Sequence, residues 1–338
     1  MSETIFITGI LGQDGADLAE LALKAGHRVV GGVRKDSARN LWRLAELRVD
    51  QDVELVDLDL LDHARIRALI ENISPSRVFN LAAQSFVVNS FEEPLTTIDA
   101  AGMGVLRLLE AIREVDRTVR FFQASTSEMF GRAVETPQRE TTPFYPRSPY
   151  GVAKVFAHHI TRNYREAFGL HASSGILFNH ESPLRGEEFV TRKVTVAMAR
   201  IAAGKDEVLS LGNLDAKRDW GHARDYVQAM WAMTDREHGD EFVLATGRTT
   251  LIREFVRLAA AAAGVDLDFE GFGVDEVARD RKTGKVIVRV NKTFYRPAEA
   301  EVLIGDPTKA RNELGWAATT SLEHLVEEMV EADRRRQG

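Results

Sequence analysis

The chain contains no cysteine, which excludes disulfides and cysteine-ligated metals. A cysteine-free chain is compatible with the cytoplasm, and that is the compartment we expect. No apolar run approaches the roughly 20 residues that a membrane-spanning helix needs, so no membrane partner is expected. The first strand-like run begins at Thr4, too early for a signal peptide ahead of it. Basic charge is not in excess. The formal charge is −7, which argues against broad nucleic-acid binding and obliges any anionic ligand to find a local basic pocket. The nine histidines show no spacing suited to a metal; His158 and His159 are adjacent on a predicted helix, so their rings diverge. There is no internal repeat and no flexible linker. What remains is a chain of 338 residues, long enough for one large or two smaller domains with a full core.

Strands and helices alternate through about residue 178, and this rhythm predicts an α/β fold built on a doubly wound parallel sheet of Rossmann type. After residue 178 the rhythm becomes irregular, mixing helices at about 193–203, 252–263 and 322–334 with short strands, and an irregular, charged segment at 277–290. We expect residues 1–178 to form a nucleotide-binding domain. Residues 179–338 should form a smaller α/β substrate domain, interleaved with the first.

The opening run Thr4 to Thr8 is strand-like, and Leu18, Leu21 and Leu23 follow with helical spacing. Between them lies a loop with Gly9, Gly12, Gln13, Asp14 and Gly15. Its glycines permit a tight turn, close approach of backbone to a pyrophosphate, and close helix packing. The spacing is G-x-x-G-x-x-G, and by itself it also suits an ordinary strand-to-helix turn. The second strand, 27–33, ends at Arg34, Lys35 and Ser37, where an NAD site would place an acid for the ribose hydroxyl. Two cations and a hydroxyl suit a 2′-phosphate instead, so NADP is the expected cofactor. Asp59 and Leu60, after a third strand at 53–56, are placed to meet the adenine. A fourth strand at 78–85, with Leu81, Ala83 and Ser85, would pass beneath the cofactor.

Tyr150 and Lys154 are four residues apart, on one face of a helix that Ser148 can cap and Pro149 can begin. A tyrosine starts near pKa ~10. A unit charge ~4 Å away at an effective dielectric of ~20 contributes about 4 kcal/mol. At ~1.4 kcal/mol per unit, that is enough to bring the phenol near neutral, where a general base works best. The same spacing also occurs on solvated helices. Upstream, Glu128 lies two residues beyond Thr126, so on an extended segment both side chains face one way. That pairing sets a carboxylate beside a hydroxyl.

The glycine loop at the start, with Tyr150 and Lys154 downstream, is identified as the signature of the extended short-chain dehydrogenases/reductases. Longer stretches, 8–15, 123–128, 142–150, 175–183, 189–193, 210–221 and 295–299, resemble the GDP-mannose 4,6-dehydratases along nearly the whole chain. The resemblance implies C4 oxidation, loss of water across C5 and C6, and hydride return to C6. It implies Tyr150, Lys154 and Thr126 for the oxidation and Glu128 as acid/base for the elimination. By the same resemblance Ser85, Asn179, Lys193, Arg218, Arg296 and Glu299 look like substrate contacts, and His180 and Arg185 like cofactor contacts. Arg192 and Arg279 join Lys193, Arg218 and Arg296 as candidate cations for the diphosphate of a nucleotide sugar. Family members pair through helices here at about 95–114 and 150–168, with a further contact near 34–40, so a homo-oligomer and specifically a tetramer is expected. Leu11, Phe86 and a short loop after Ser37 depart from the family pattern. A GDP-heptose dehydratase, a GDP-sugar 4-reductase and a non-catalytic dinucleotide sensor remain as alternatives.

Overall fold

The computed structural model describes residues 2–34, 40–83, 86–295 and 303–337. Its first half alternates β1 (Thr4–Thr8), α1 (Gln13–Lys24), β2 (Arg28–Val33), α2 (Trp42–Glu46), β3 (Val53–Asp57), α3 (His63–Ile73) and β4 (Arg77–Asn80). Then come α4 (Asn89–Glu92), α5 (Pro94–Ile98), a π-helical turn (Asp99–Met103) and α6 (Gly104–Val115). The expected single helix over 95–114 is therefore interrupted by a wider turn. Strand β5 (Arg120–Thr126), a 3₁₀ turn (Ser127–Met129), α7 (Pro149–Phe168) and β6 (Ala172–Leu177) complete this half.

The second half supplies β7 (Asn179–Glu181), α8 (Val190–Ala202), β8 (Leu209–Leu211), β9 (Lys217–Arg218), β10 (Trp220–His222), α9 (Ala223–Asp235) and β11 (Glu241–Leu244). It continues through β12 (Thr250–Leu251), α10 (Ile252–Ala262), β13 (Leu267–Glu270), β14 (Val277–Asp280), β15 (Val286–Val290), α11 (Thr308–Leu314) and α12 (Leu322–Gln337). The segment over 277–290, expected to be irregular, is an antiparallel hairpin turned at Gly284 with φ +71°. Its charges lie largely on the open side while Ala278, Ile287 and Val288 are buried.

Seven parallel strands form the central sheet in the order β3–β2–β1–β4–β5–β6–β11. The strand order reverses between β1 and β4, and such a switch point opens a crevice at the carboxyl ends of the strands. Ile5, Ile7, Phe79 and Phe122 face α1 and α9 on one side, while Phe6, Val78 and Phe121 face α3, α6 and α7 on the other. Both faces are covered, as a parallel sheet requires. A separate sheet, β13–β14–β15–β8, packs on α8, α10 and α12 around Phe255, Val288, Val326 and Met329. Because β11 and α9 come from the second half yet belong to the first layer, the two halves are interleaved in chain order.

Strand β4 stops at Asn80, short of the expected residue 85. Asn80 bonds Thr8 and Gln123 through its side chain, and the Thr8 hydroxyl accepts the N–H of Ala82 at 3.2 Å. A side-chain bond here replaces the next rung of the ladder and turns Leu81, Ala82 and Ala83 out over the glycine loop.

Candidate active site

The glycine loop and α1 form one side of the crevice. Gly9 takes φ +71°, and a Cβ there would lie 2.8 Å from the nitrogen of Ala82. A Cβ on Gly15 would collide with Gly9 and Ile10, so the third glycine lets α1 start against the loop. Helix α1 begins at Gly12 with no side-chain cap, so its first-turn N–H groups face the crevice mouth as an anion site. This donor set fits a dinucleotide pyrophosphate. Arg34, exposed at the end of β2, adds a cation, while Lys35, Ser37 and Ser85 lie outside the described residues. Asp59 accepts the N–H of Leu61, and Leu60 packs over Gly104.

Gln13 and Asp14 do more than line the loop. Gln13 donates to the carbonyl of His180 at 3.0 Å and accepts from Ser182, while Asp14 meets His180 Nε2 at 3.0 Å. Burial disfavours charge on both, yet the pairing holds His180 above the usual imidazole range and Asp14 below the usual carboxylate range. Tyr226 stacks on the imidazole with centroids 4.4 Å apart. Arg185 is paired with Glu181 at 3.0 Å and lies 3.5 Å over the Phe189 ring, which Phe86 meets edge-on. The loop and β7 are thereby clamped together across more than 160 residues of chain.

Opposite them, α7 presents the phenol. Ser148 accepts the N–H of Gly151 at 3.0 Å and Pro149 occupies the first turn, as the sequence predicts. Such a cap contributes about 0.5–2 kcal/mol. Tyr150 and Lys154 are both buried, with the ammonium 5.7 Å from the centre of the phenol ring and donating to the Ala124 carbonyl at 2.8 Å. The Thr126 hydroxyl stands near enough to the phenol to favour its ionised form.

Two expectations fail here. Thr126 and Glu128 do not share an extended segment. Thr126 ends β5 and its hydroxyl caps the 3₁₀ turn, accepting the Glu128 N–H at 3.2 Å. The turn, rather than strand alternation, brings the carboxylate to the phenol, and Gly151 allows it: a Cβ there would stand 2.9 Å from the Glu128 carbonyl oxygen. Nor is the phenol drawn toward neutrality. Burial, and then the negative charge of Glu128, push it well above its ordinary value. Burial also lowers Lys154 to about 8, which weakens the very charge that was to acidify Tyr150.

The remaining predicted residues divide. Asn179 opens β7 beside Trp220, and Arg218 stands two residues before that tryptophan in the neighbouring strand β9, its guanidinium donating to the Lys217 carbonyl. Lys193 donates to the Ser210 carbonyl at 2.7 Å and lies 5.2 Å from the Phe294 ring. Arg296 and Glu299 lie outside the described residues. Arg279 is committed to Glu270 at 2.9 Å and the Gly284 carbonyl within its own hairpin. Arg192 is buried against Asp333 at 2.5 Å, tying α8 to α12, so it is a fold residue and not a diphosphate ligand. Among the described residues no group of three or more His, Asp or Glu side chains could hold a metal ion.

Sequence reasoning missed the Asp14–His180 pair, and it set His158 aside as an unsuitable metal ligand. His158 continues the four-residue spacing of Tyr150 and Lys154, a signal that was available in the helix period.

Residues 6–329 match the family model described as GDP-mannose 4,6 dehydratase. The chain is 51% identical to a GDP-mannose 4,6-dehydratase of Sinorhizobium fredii, over 97% of this chain and 95% of the relative. It is 48% identical to one of Yersinia enterocolitica, over 97% and 92%. Its fold is similar to that of RMD from Pseudomonas aeruginosa complexed with NADPH, with a TM-score of 0.79, 22% identity, and coverage of 99% of this chain and 100% of that structure.

Proposed function

We infer that this chain, which belongs to the GDP-mannose 4,6-dehydratase family, converts GDP-mannose to GDP-4-dehydro-6-deoxy-mannose with a bound NADP. The observation that carries the reading is a carboxylate, Glu128, turned into the same buried corner as Thr126 and the Tyr150 phenol. A reductase or epimerase needs the phenol and the hydroxyl. Elimination of water needs one acid/base more, and Glu128 is the group we assign to it.

Tyr150 takes the proton of the sugar C4 hydroxyl as a phenolate, a form that burial opposes and that the positive charge of an oxidised nicotinamide would favour. When bound, the nicotinamide supplies the acceptor for the C4 hydride and gives it back at C6. A C4 ketone makes the C5 hydrogen acidic, and Glu128 removes it. The same carboxyl then protonates the C6 hydroxyl, which leaves as water. One proton was taken at C4 and one is needed at C5 when C6 is reduced, so the count closes. Lys154, fixed by its bond to the Ala124 carbonyl, holds its ammonium 5.7 Å from the centre of the phenol ring.

The cofactor's pyrophosphate is assigned to Gly9, Gly12 and Gly15 with the start of α1, and its 2′-phosphate to Arg34, Lys35 and Ser37. Asp59 and Leu60 serve the adenine, Leu81, Ala83 and Ser85 the underside, and His180 and Arg185 the nicotinamide end. Asn179, Lys193, Arg218, Arg296 and Glu299 are assigned to the nucleotide sugar, mainly on the part of the chain after residue 178. Arg279 is not retained, since its guanidinium is already paired.

The chain acts as a homo-oligomer in the cytoplasm, and a tetramer is the proposed assembly. Support for self-association comes from α4, α5 and α7, which expose Phe91, Leu95, Ile98, Val152 and Phe156. Leu95 is 83% exposed, an unusual position for a leucine unless another surface covers it. The helices of a second copy supply that cover. The contact expected near 34–40 falls mainly outside the described residues.

Deuterium at C4 of GDP-mannose should appear at C6 of the product with no net consumption of NADPH. Stoichiometric NADPH use, or label lost to the cofactor pool, would instead identify a reductase.

A further inference from the structure

We propose that His158 is a positioning residue for the elimination: by accepting the Ser125 hydroxyl proton it pins the end of β5 to α7, where Thr126 and Glu128 meet Tyr150. The proposal rests on the dehydratase reading of this site.

Three consecutive residues of β5 meet side chains of α7. The Ala124 carbonyl accepts from Lys154 at 2.8 Å, the Ser125 hydroxyl lies 3.1 Å from His158 Nδ1, and the Thr126 hydroxyl stands beside the Tyr150 phenol. Tyr150, Lys154 and His158 recur every four residues and so share the helix face turned to the strand. Two of the three contacts involve groups already placed in the chemistry. The middle one does not, and its imidazole is wholly buried.

The far side of that ring fixes its hydrogen-bonding role. His158 Nε2 has no hydrogen-bond partner and faces the Glu241 carboxylate across 4.0 Å. Glu241 is held by Arg162 and Arg165 of the same helix; burial opposes its charge, but the two guanidiniums keep the carboxyl down at about 2. A carboxylate attracts an N–H and repels a bare ring lone pair, so the imidazole proton resides on Nε2. Nδ1 is then left as an acceptor, and Ser125 must donate. Burial depresses His158 to about 4, so the ring stays neutral and the arrangement single-valued at neutral pH. Phe144, edge-on at 5.2 Å, blocks rotation of the ring out of this seat.

The consequence is geometric. Glu128 reaches the phenol by a three-residue turn that starts one residue beyond Thr126. Freeing Ser125 lets the root of that turn shift, and displacement by about 1 Å can cost on the order of 10²-fold in rate. Substrate affinity depends on groups elsewhere in the crevice.

Wild type is first assayed with GDP-mannose. No dehydration overturns the functional reading and this proposal with it; a working wild type isolates the positioning question. His158→Phe should lower kcat by about 10- to 100-fold with KM within about twofold of wild type. His158→Asn, whose side-chain oxygen can sit where Nδ1 was, should recover most of that kcat. In Ser125→Ala/His158→Phe both buried partners are gone, so the melting temperature should return toward wild type while kcat stays low. If kcat rises with the melting temperature in the double variant, or if His158→Phe turns over normally, the positioning role is wrong. Should His158→Phe not fold, Ser125→Ala decides: a lowered kcat at unchanged KM supports the proposal, and unaltered kinetics overturns it.

Discussion

Tyr150 shares a buried corner with Glu128; burial first, and then the carboxylate's charge, raise the phenol above its ordinary value. Both groups enter the reaction as bases, so the carboxylate's charge raises the cost of forming the phenolate. Glu128→Gln should accordingly lower the pKa of Tyr150, seen as an earlier rise of tyrosinate absorbance against a Tyr150→Phe control. The same variant should keep its fold and cofactor binding and lose dehydration by ~10²- to 10⁴-fold, measured by NMR of the product. An unshifted phenol, or full dehydration, would mean that Glu128 is not the acid/base of this corner. At the cofactor's far end, Arg34→Asp should weaken NADP far more than NAD, because a repelled 2′-phosphate replaces a paired one. Equal losses for the two cofactors in a binding titration would remove Arg34 from that role.

Helix α7 carries the phenol, the lysine and the buried histidine on one face, and two guanidiniums behind them hold Glu241. This packing has a pH signature. An unfolded histidine titrates near ~6.5, whereas His158 in the folded chain is held at about 4 by burial. The unfolded state thus binds the extra proton first as pH falls. Stability from this group is fully present above ~6.5 and is lost progressively as pH falls through about 4. The groups facing the ring are Glu241 on β11, Arg162, Arg165 and His159 on α7, Ser125 on β5 and Phe144. His158→Phe removes the histidine's share, so its melting temperature should fall less steeply than that of wild type between pH 6.5 and 4. Parallel pH profiles would show that the ring is solvated or already charged. The element's start was legible from Ser148 and Pro149. Its cargo was only half legible, because the spacing that marked Tyr150 and Lys154 also marked His158, yet nothing local assigns that ring a partner on β5 or β11.

Across the whole molecule, the interleaving of the halves ties the site together. Strand β11 completes the central sheet beside β6, and α9 packs on α1, so segments after residue 178 support the nucleotide-binding layer. Clamps from Gln13 and Asp14 to His180 hold the glycine loop against β7, and the Arg192–Asp333 pair ties α8 to α12. One surface is left apolar. Leu95→Asp should place a charge in the middle of the face formed by α5 and α7 and shift the assembly toward smaller species in light scattering at micromolar concentration. An unchanged mass would locate the subunit contact elsewhere.

Local pattern was enough to determine the alternating fold, the glycine loop, the capped helix bearing Tyr150 and Lys154, and membership of the family, because each rests on residues close in sequence. The end of β4 was not legible: Thr8, 74 residues away, takes the hydrogen bond that would have prolonged the strand. Arg192 and Arg279 read as free cations for a diphosphate until the fold supplied Asp333 and Glu270 as partners. The proton affinity of Tyr150 was misjudged for the same reason. Adjacency on a helix gives the distance to Lys154, but burial and a carboxylate delivered by another segment decide the sign of the shift, and both arise only when β5 and α7 pack together.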